Sequence, residues 1–205
     1  SQISLQSDII KADPLYLAVL VMVFTGSFTK SAQFPFHFWL PNAMTAPTPI
    51  SAFLHSATMV KAGIYLLARL HPILGGTHAW MGTLVVVGGI TALLGSVLAI
   101  NASDLKRILA FTTIMALGIL TMFLGGKTTP ALTAAMTFLM VHSLYKCSLF
   151  LVVGIIDHQA GTRMMDRLGG LLKSMPITAF AAATATLSMA GFPLFFGFIG
   201  KEIMY

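Results

Sequence analysis

The sequence predicts an all-α integral membrane protein with about six transmembrane helices. Three observations carry this. Of 205 residues, 57% are hydrophobic and only 9% are charged, where a soluble domain carries about 25% charged residues. Apolar runs of about 20 residues, long enough to cross a bilayer as helices, recur along the whole chain. The short alternating segments of a membrane β-barrel are absent. A buried helix of a soluble core would mimic one such run, but not six.

Residues 1–13 read as a mixed polar lead-in carrying Asp8, Lys11 and Asp13. Everything from residue 14 to 205 reads as membrane domain. Pro14 suits a first helical turn, and the first span runs from about Leu15 to Gln33. Pro35 removes a backbone donor and is expected to break it. Residues 36–41 are then a short second half-helix or an aromatic interfacial stretch. Pro47 and Pro49 open the second span, about Ile50 to Leu70. The third runs from Trp80 to Ile100, with Gly88, Gly89, Gly95 and Ser96 permitting close helix contact. Ser103 is placed to cap the fourth, which ends near Leu124, with Asp104 in its first turn. A turn at Gly125, Gly126 and Lys127 leads to the fifth span, from about Pro130 to Ile156. A loop over 157–175 precedes the sixth, which starts at Pro176 and is interrupted by Gly191, Phe192, Pro193 and Gly197.

The net charge of +6 would point to nucleic acid in a soluble protein. Here there is no basic run and no stacking platform, so a nucleic-acid partner is excluded. Loop Lys and Arg follow the positive-inside bias instead. Lys106, Arg107, Arg163, Arg167 and Lys173 fall on one side, and Lys11, Arg69 and Lys127 on the other. That balance leans the first side toward the cytoplasm. The single cysteine, Cys147, gives no disulfide framework. No Cys/His metal pattern, cofactor motif or signal peptide is present. The chain opens on Ser1 rather than Met and stops just after an apolar run, so it reads as an internal piece of a longer protein.

Ionisable residues inside apolar runs are expensive and mark function by default. Lys30 lies just before Pro35. His55 and Lys61 sit within the second span, and His142 and Lys146, four apart, near the middle of the fifth. Lys201 follows the break at Pro193, with Glu202 beside it. A regular helix would put Ser51, His55, Thr58, Ala62 and Tyr65 on one stripe with Lys61 at its edge. Lys106 is either interfacial or an auxiliary member of this set. Lys61 has the alternative of snorkelling to headgroups, and Lys201 that of a plain helix-end charge. His37 reads as interfacial, and His71, His78 and His158 as loop residues.

The first and sixth spans are both interrupted by Pro or Gly, and each carries a lysine beside the break. They lie five spans apart, so they cross in opposite directions. That is the pattern of an inverted-topology repeat with the ion path at the broken helices; the alternative is coincidence, because Pro and Gly are frequent in membrane helices.

Several stretches carry a resemblance: Lys30 through Pro41, Ala46 through Gly63, Asp104 through Thr113, and Gly197 through Glu202. Over about residues 15–205 the chain resembles the antiporter-like subunits, a superfamily that includes the proton-pumping membrane subunits of respiratory complex I and the large subunits of Mrp-type antiporters. The stretches His55–Gly63, Thr112–Gly118 and Gly154–Arg163 are most similar to the A-subunit branch of the Mrp type.

The resemblance implies two inverted five-helix repeats, each with a broken helix, meeting near residues 71–79. It implies proton-translocating roles for Lys30, His55, Lys61, His142, Lys146 and Lys201, and a carboxylate partner for Lys30 upstream of Ser1. It further implies no cofactor, the other subunits of a multi-component antiporter complex as partners, and the bacterial plasma membrane as location. The expected activity is proton movement along a hydrophilic Lys/His axis coupled to Na⁺ (or K⁺) antiport. The alternative is a proton-pumping subunit of a redox-driven complex, such as complex I or a membrane-bound hydrogenase, whose chemistry on this axis would be the same.

Overall fold

The computed structural model describes residues 7–126 and 128–204, so Lys127 and the first half of the lead-in lie outside the described residues. No β-strand forms among the described residues; one antiparallel bridge pairs Asp104 with Met164. A short helix, α1 (Ser7–Ala12), precedes α2 (Tyr16–Lys30). After α2 the chain makes a 3₁₀ turn (Phe36–Phe38), the short α3 (Trp39–Asn42) and a second 3₁₀ turn (Ala43–Thr45). Helix α4 (Thr48–Ala52) runs through a π-helical turn (Phe53–Ala57) into α5 (Met59–Leu74). Then come α6 (His78–Ile100), α7 (Leu105–Leu124) and α8 (Thr129–Ala160). A connection holding a 3₁₀ turn (Met165–Arg167) and α9 (Leu171–Ser174) leads to α10 (Pro176–Ala190) and α11 (Phe196–Glu202).

The six expected spans resolve into four long apolar helices and two interrupted ones. Residues 48–74, 78–100, 105–124 and 130–160 are long and apolar enough to cross a membrane. Helices α2 and α10 have 15 residues each, about 22 Å of rise against a hydrocarbon core of about 30 Å. The chain is an integral membrane protein in which the first and last spans are completed by short, irregular second halves.

Each break has a local cause. Helix α2 ends at Lys30, ahead of the expected Gln33, because Ala32 turns to φ 48°. The turn is closed by Ser31 N–H on Ser27 O and Gln33 N–H on Phe28 O, both 2.9 Å. Pro35 therefore heads the second half-helix rather than ending the first. At the other end α10 stops at Ala190, where Gly191 takes φ 79° and Leu194 φ 80° on either side of Pro193. Gly191 donates to Ser188 O and Phe192 to Leu187 O, satisfying the last carbonyls of α10 in the manner of a Schellman cap.

Two expectations about helix ends are corrected. Asp104, not Ser103, caps α7: its Oδ1 accepts from Lys106 N at 2.8 Å and Arg107 N at 3.1 Å. A carboxylate reaches two orphan amides at once, and the Ser103 carbonyl is already engaged by Met165 N. His71, His78 and His158 are helical rather than loop residues, since α5, α6 and α8 run past the apolar stretches. His71 Nε2 lies 3.0 Å from Gly126 O and so ties α5 to the α7–α8 turn.

The connection after α2, the α6–α7 turn and the segment after α8 meet at one end of the bundle. Lys106 donates to Ala46 O at 3.0 Å, and Arg163 bridges Asp104 at 2.6 Å and Asp157 at 3.8 Å. Helices α6 and α7 form the closest crossing. A Cβ on Gly88 would stand 2.6 Å from Gly118 O, and one on Gly118 2.5 Å from Ala92 N. Gly88 and Gly95 serve this contact as expected; Gly89 meets only Met122 Sδ, at 3.7 Å. Helix α8 is the hub, touching α4, the π turn, α7, α10 and α11.

Candidate functional site

The π turn decides which side chains face the interior. Thr58 has φ −123° and ψ −82°, and its hydroxyl donates to Phe53 O at 3.0 Å. Ser56 Oγ likewise donates to Ala52 O. Hydroxyls that take carbonyls of the preceding turn loosen the regular ladder. The wider turn inserts a register shift, so the expected single stripe does not form. Ser51 and His55 are buried before the shift, and Lys61, Gly63 and Ile64 after it, while Thr58, Ala62 and Tyr65 face outward. Lys61 stands on the buried face rather than at its edge, which removes the snorkelling alternative. Thr58 takes no place among the buried polar groups; it shapes the turn that seats His55.

From Lys61 onward the polar groups form one line. Lys61 Nζ reaches from α5 to α8, where it donates to Ser143 Oγ and, at 3.4 Å, to Leu139 O. His142 is fully buried, and neither ring nitrogen has a hydrogen-bond partner among the described residues. It packs between Phe138 and Tyr145, with ring centroids at 6.0 and 5.3 Å. One turn on, Lys146 Nζ crosses to α7 and donates to Leu109 O at 3.1 Å and to Thr112 Oγ1. Lys146 and Lys201 line the same cavity of about 500 Å³, with Thr112, Tyr145, Ala190 and several apolar side chains. Lys201 folds back from α11 across the break and donates to Ala190 O at 2.9 Å. The ammonium thereby sits on the negative end of α10.

The remaining candidates flank this line. His55 is buried beside Trp39, with ring centroids 6.1 Å apart. The Trp39 indole N–H donates to Thr29 O at 3.0 Å, next to Lys30. The Lys30 side chain is exposed and has no partner among the described residues. Lys106 is buried apart from the others, in a cavity of about 860 Å³ lined by residues 45–49 and by Asp157, His158 and Arg163. Glu202 is exposed.

Among the described residues no carboxylate pairs with any of these lysines; the ion pairs are those of Arg163. Lys61, Lys106, Lys146 and Lys201 each donate to a main-chain carbonyl instead. A main-chain carbonyl accepts from the ammonium but brings no formal countercharge. No cluster suited to a metal ion occurs among the described residues.

The family described as NADH:quinone oxidoreductase/Mrp antiporter, TM, matches residues 1–204. The chain belongs to this family. Its members include relatives of high identity. The chain is 52% identical over 198 residues to the A/B subunit of a probable K(+)/H(+) antiporter of Rhizobium meliloti, covering 97% of this chain and 20% of that protein. It is 47% identical to the A-type subunit of the Na(+)/H(+) antiporter of Bacillus subtilis, covering 98% of this chain and 26% of that protein. It therefore spans about a fifth to a quarter of the length of these relatives. Among solved structures, the Mrp complex from Dietzia sp. DQ12-45-1b matches with a TM-score of 0.90 at 47% identity, over 96% of this chain and 22% of that one. An archaeal membrane-bound sulfane sulfur reductase matches with a TM-score of 0.88 at 23% identity, over 98% and 42%, a likeness of fold alone.

Sequence reasoning missed Ser143, Thr112, Tyr145 and Trp39. Ser143 follows His142, and Thr112 is the first of a Thr-Thr pair. Their role appears only once Lys61 and Lys146 are seen to cross to other helices. Tyr145, adjacent to Lys146 and one turn from His142, was the one with a visible signal.

Proposed function

We propose that this chain is the proton-carrying part of a multisubunit Mrp-type antiporter of the bacterial plasma membrane, exchanging H⁺ for a monovalent cation. The observation that carries the reading is the series Lys61, His142, Lys146 and Lys201, in which the three lysines donate to neutral acceptors and Lys146 and Lys201 share one cavity. Protons pass along it by hopping between ammonium, imidazole and intervening water. Protonation of one lysine raises the cost of charging the next, so a charge arriving at one end displaces one at the other. Lys30 serves at the end of α2, next to the Thr29 carbonyl that holds Trp39 beside His55. Lys106 serves as an auxiliary group at the end of the bundle near Arg163. The two interrupted helices are the broken members of two inverted repeats that meet at the α5–α6 turn. Na⁺ is the cation that the names of the Bacillus and Staphylococcus relatives favour, while the Rhizobium relative is named for K⁺. A redox-driven pump shares the fold, but identities of 46–52% lie with antiporter subunits.

The test uses the complete complex in inside-out vesicles. Lys30→Ala and Lys146→Ala are expected to abolish cation-dependent dissipation of a pH gradient, with assembled complex at wild-type levels. Undiminished exchange in Lys146→Ala would overturn the reading. Comparing Na⁺ with K⁺ in the same vesicles assigns the cation.

A further inference from the structure

We propose that Ser143 and Thr112 are positioning residues for the proton step, each acting as a swivel on the lysine it faces. The inference rests on the transport reading above and adds to it two hydroxyls outside the Lys/His set. The two sites are built alike on different helices. On α8, Ser143 Oγ donates to Leu139 O at 2.8 Å. On α7, Thr112 Oγ1 donates to Ile108 O at 2.7 Å, with Leu109 O also within reach at 3.2 Å. Each hydroxyl proton is thereby committed to a carbonyl of its own helix, so only lone pairs face outward. Those lone pairs receive the ammonium of Lys61 in one case and of Lys146 in the other. In both, a carbonyl of the same turn supplies the second acceptor, Leu139 O or Leu109 O.

The geometry has a consequence for the deprotonated state. A neutral amine has one lone pair, and a carbonyl cannot donate to it. A hydroxyl can, by rotating its O–H away from the carbonyl one turn back. The carbonyl keeps its regular helical amide donor, so the rotation leaves no orphan on the backbone. Each hydroxyl thus accepts from the ammonium and donates to the amine, satisfying both states at one nitrogen position. No bond to carbon breaks, and the proton leaves along the Lys/His line rather than through the hydroxyl. The titratable groups around Lys61 are His142, Lys146 and Cys147 on α8. Around Lys146 they are Lys61 from α5, His142 and Tyr145 on α8, and Lys201 across the cavity from α11.

The experiment measures cation-driven proton exchange by the complete complex in proteoliposomes, with assembly followed on native gels. Thr112→Val keeps the shape and removes the hydroxyl; Thr112→Ser keeps the hydroxyl. Ser143→Ala and Ser143→Thr form the second pair, and Lys146→Ala is run alongside. Thr112→Val and Ser143→Ala are expected to lower turnover about tenfold or more, the scale of a lost hydrogen bond to a charged group, with KM for the cation unchanged. Thr112→Ser and Ser143→Thr are expected to stay within about threefold of wild type. Wild-type turnover in the hydroxyl-free variants, or equal damage in the hydroxyl-keeping ones, overturns the proposal. If one pair fails to assemble, the other decides. If Lys146→Ala is inactive while Thr112→Val turns over normally, the swivel falls and the transport reading stands. If Lys146→Ala exchanges normally, the transport reading itself falls.

Discussion

His142 carries the most pointed residue-scale argument. Both of its ring nitrogens are buried without a hydrogen-bond partner among the described residues, a condition that costs about 1–3 kcal/mol per group when nothing offsets it. A side chain retained for packing would be better as leucine. Replacing His142→Leu is therefore expected to leave the complex at least as stable, with Tm unchanged or raised, while cation-coupled proton exchange collapses. A Tm fall of several degrees with exchange intact would make His142 a packing residue. The residue types that carry charge were legible in the sequence because a cation in an apolar run stands out on cost alone. Ser143 and Thr112 were not, because Ser and Thr are common in membrane helices and bond back to their own carbonyls without further purpose. What distinguishes these two is a lysine arriving from another helix, a long-range fact with no local trace.

At the scale of elements, span number and order were legible because hydropathy reports directly on burial in lipid. Register within a span was less so. A stripe drawn at 3.6 residues per turn carried Thr58 and Tyr65 inward; the π turn at Phe53–Ala57 turned them out and brought Lys61 in. That turn depends on Ser56 and Thr58 hydroxyls taking specific carbonyls, which periodicity cannot anticipate. The cap of α7 was misplaced by one residue for a similar reason, since the choice between Ser103 and Asp104 was made by Met165 in a distant segment. Helix crossing was better encoded. Gly118→Ala would drive a methyl to within 2.6 Å of Gly88 O, and overpacking of this kind costs about 1–3 kcal/mol. Thermal unfolding of the solubilised complex is expected to show a lowered Tm for Gly118→Ala and none for Gly89→Ala, whose Cβ meets only Met122 Sδ at 3.7 Å. Equal effects at the two positions would mean that the α6–α7 crossing is looser than its glycines imply.

Across the whole molecule the polar groups are carried by elements that are individually imperfect. Helix α2 stops early, α4 and α5 are joined by a π turn, and α10 ends on Gly191, whereas α7 and α8 run unbroken, α8 with His142 and Lys146 on it. Each irregularity frees backbone groups or turns a side chain inward, which in lipid is tolerated only where protein or water meets the exposed dipoles. The cavity between Lys146 and Lys201 is where that exchange is most direct, since it joins the α8 cation to the broken end of α10. If protons cross it on water, occupying its space with carbon should stop them without unfolding anything. Ile119 lines the cavity from α7 and is half-buried. Ile119→Phe is expected to reduce exchange severalfold while changing stability by less than about 1.5 kcal/mol, because the added ring enters empty volume. Ile119→Ala enlarges the same space and is expected to retain exchange at some cost in stability. Measured together in proteoliposomes and by thermal unfolding, the pair separates a water path from mere packing: a rate that follows stability rather than open volume would place the proton route outside this cavity.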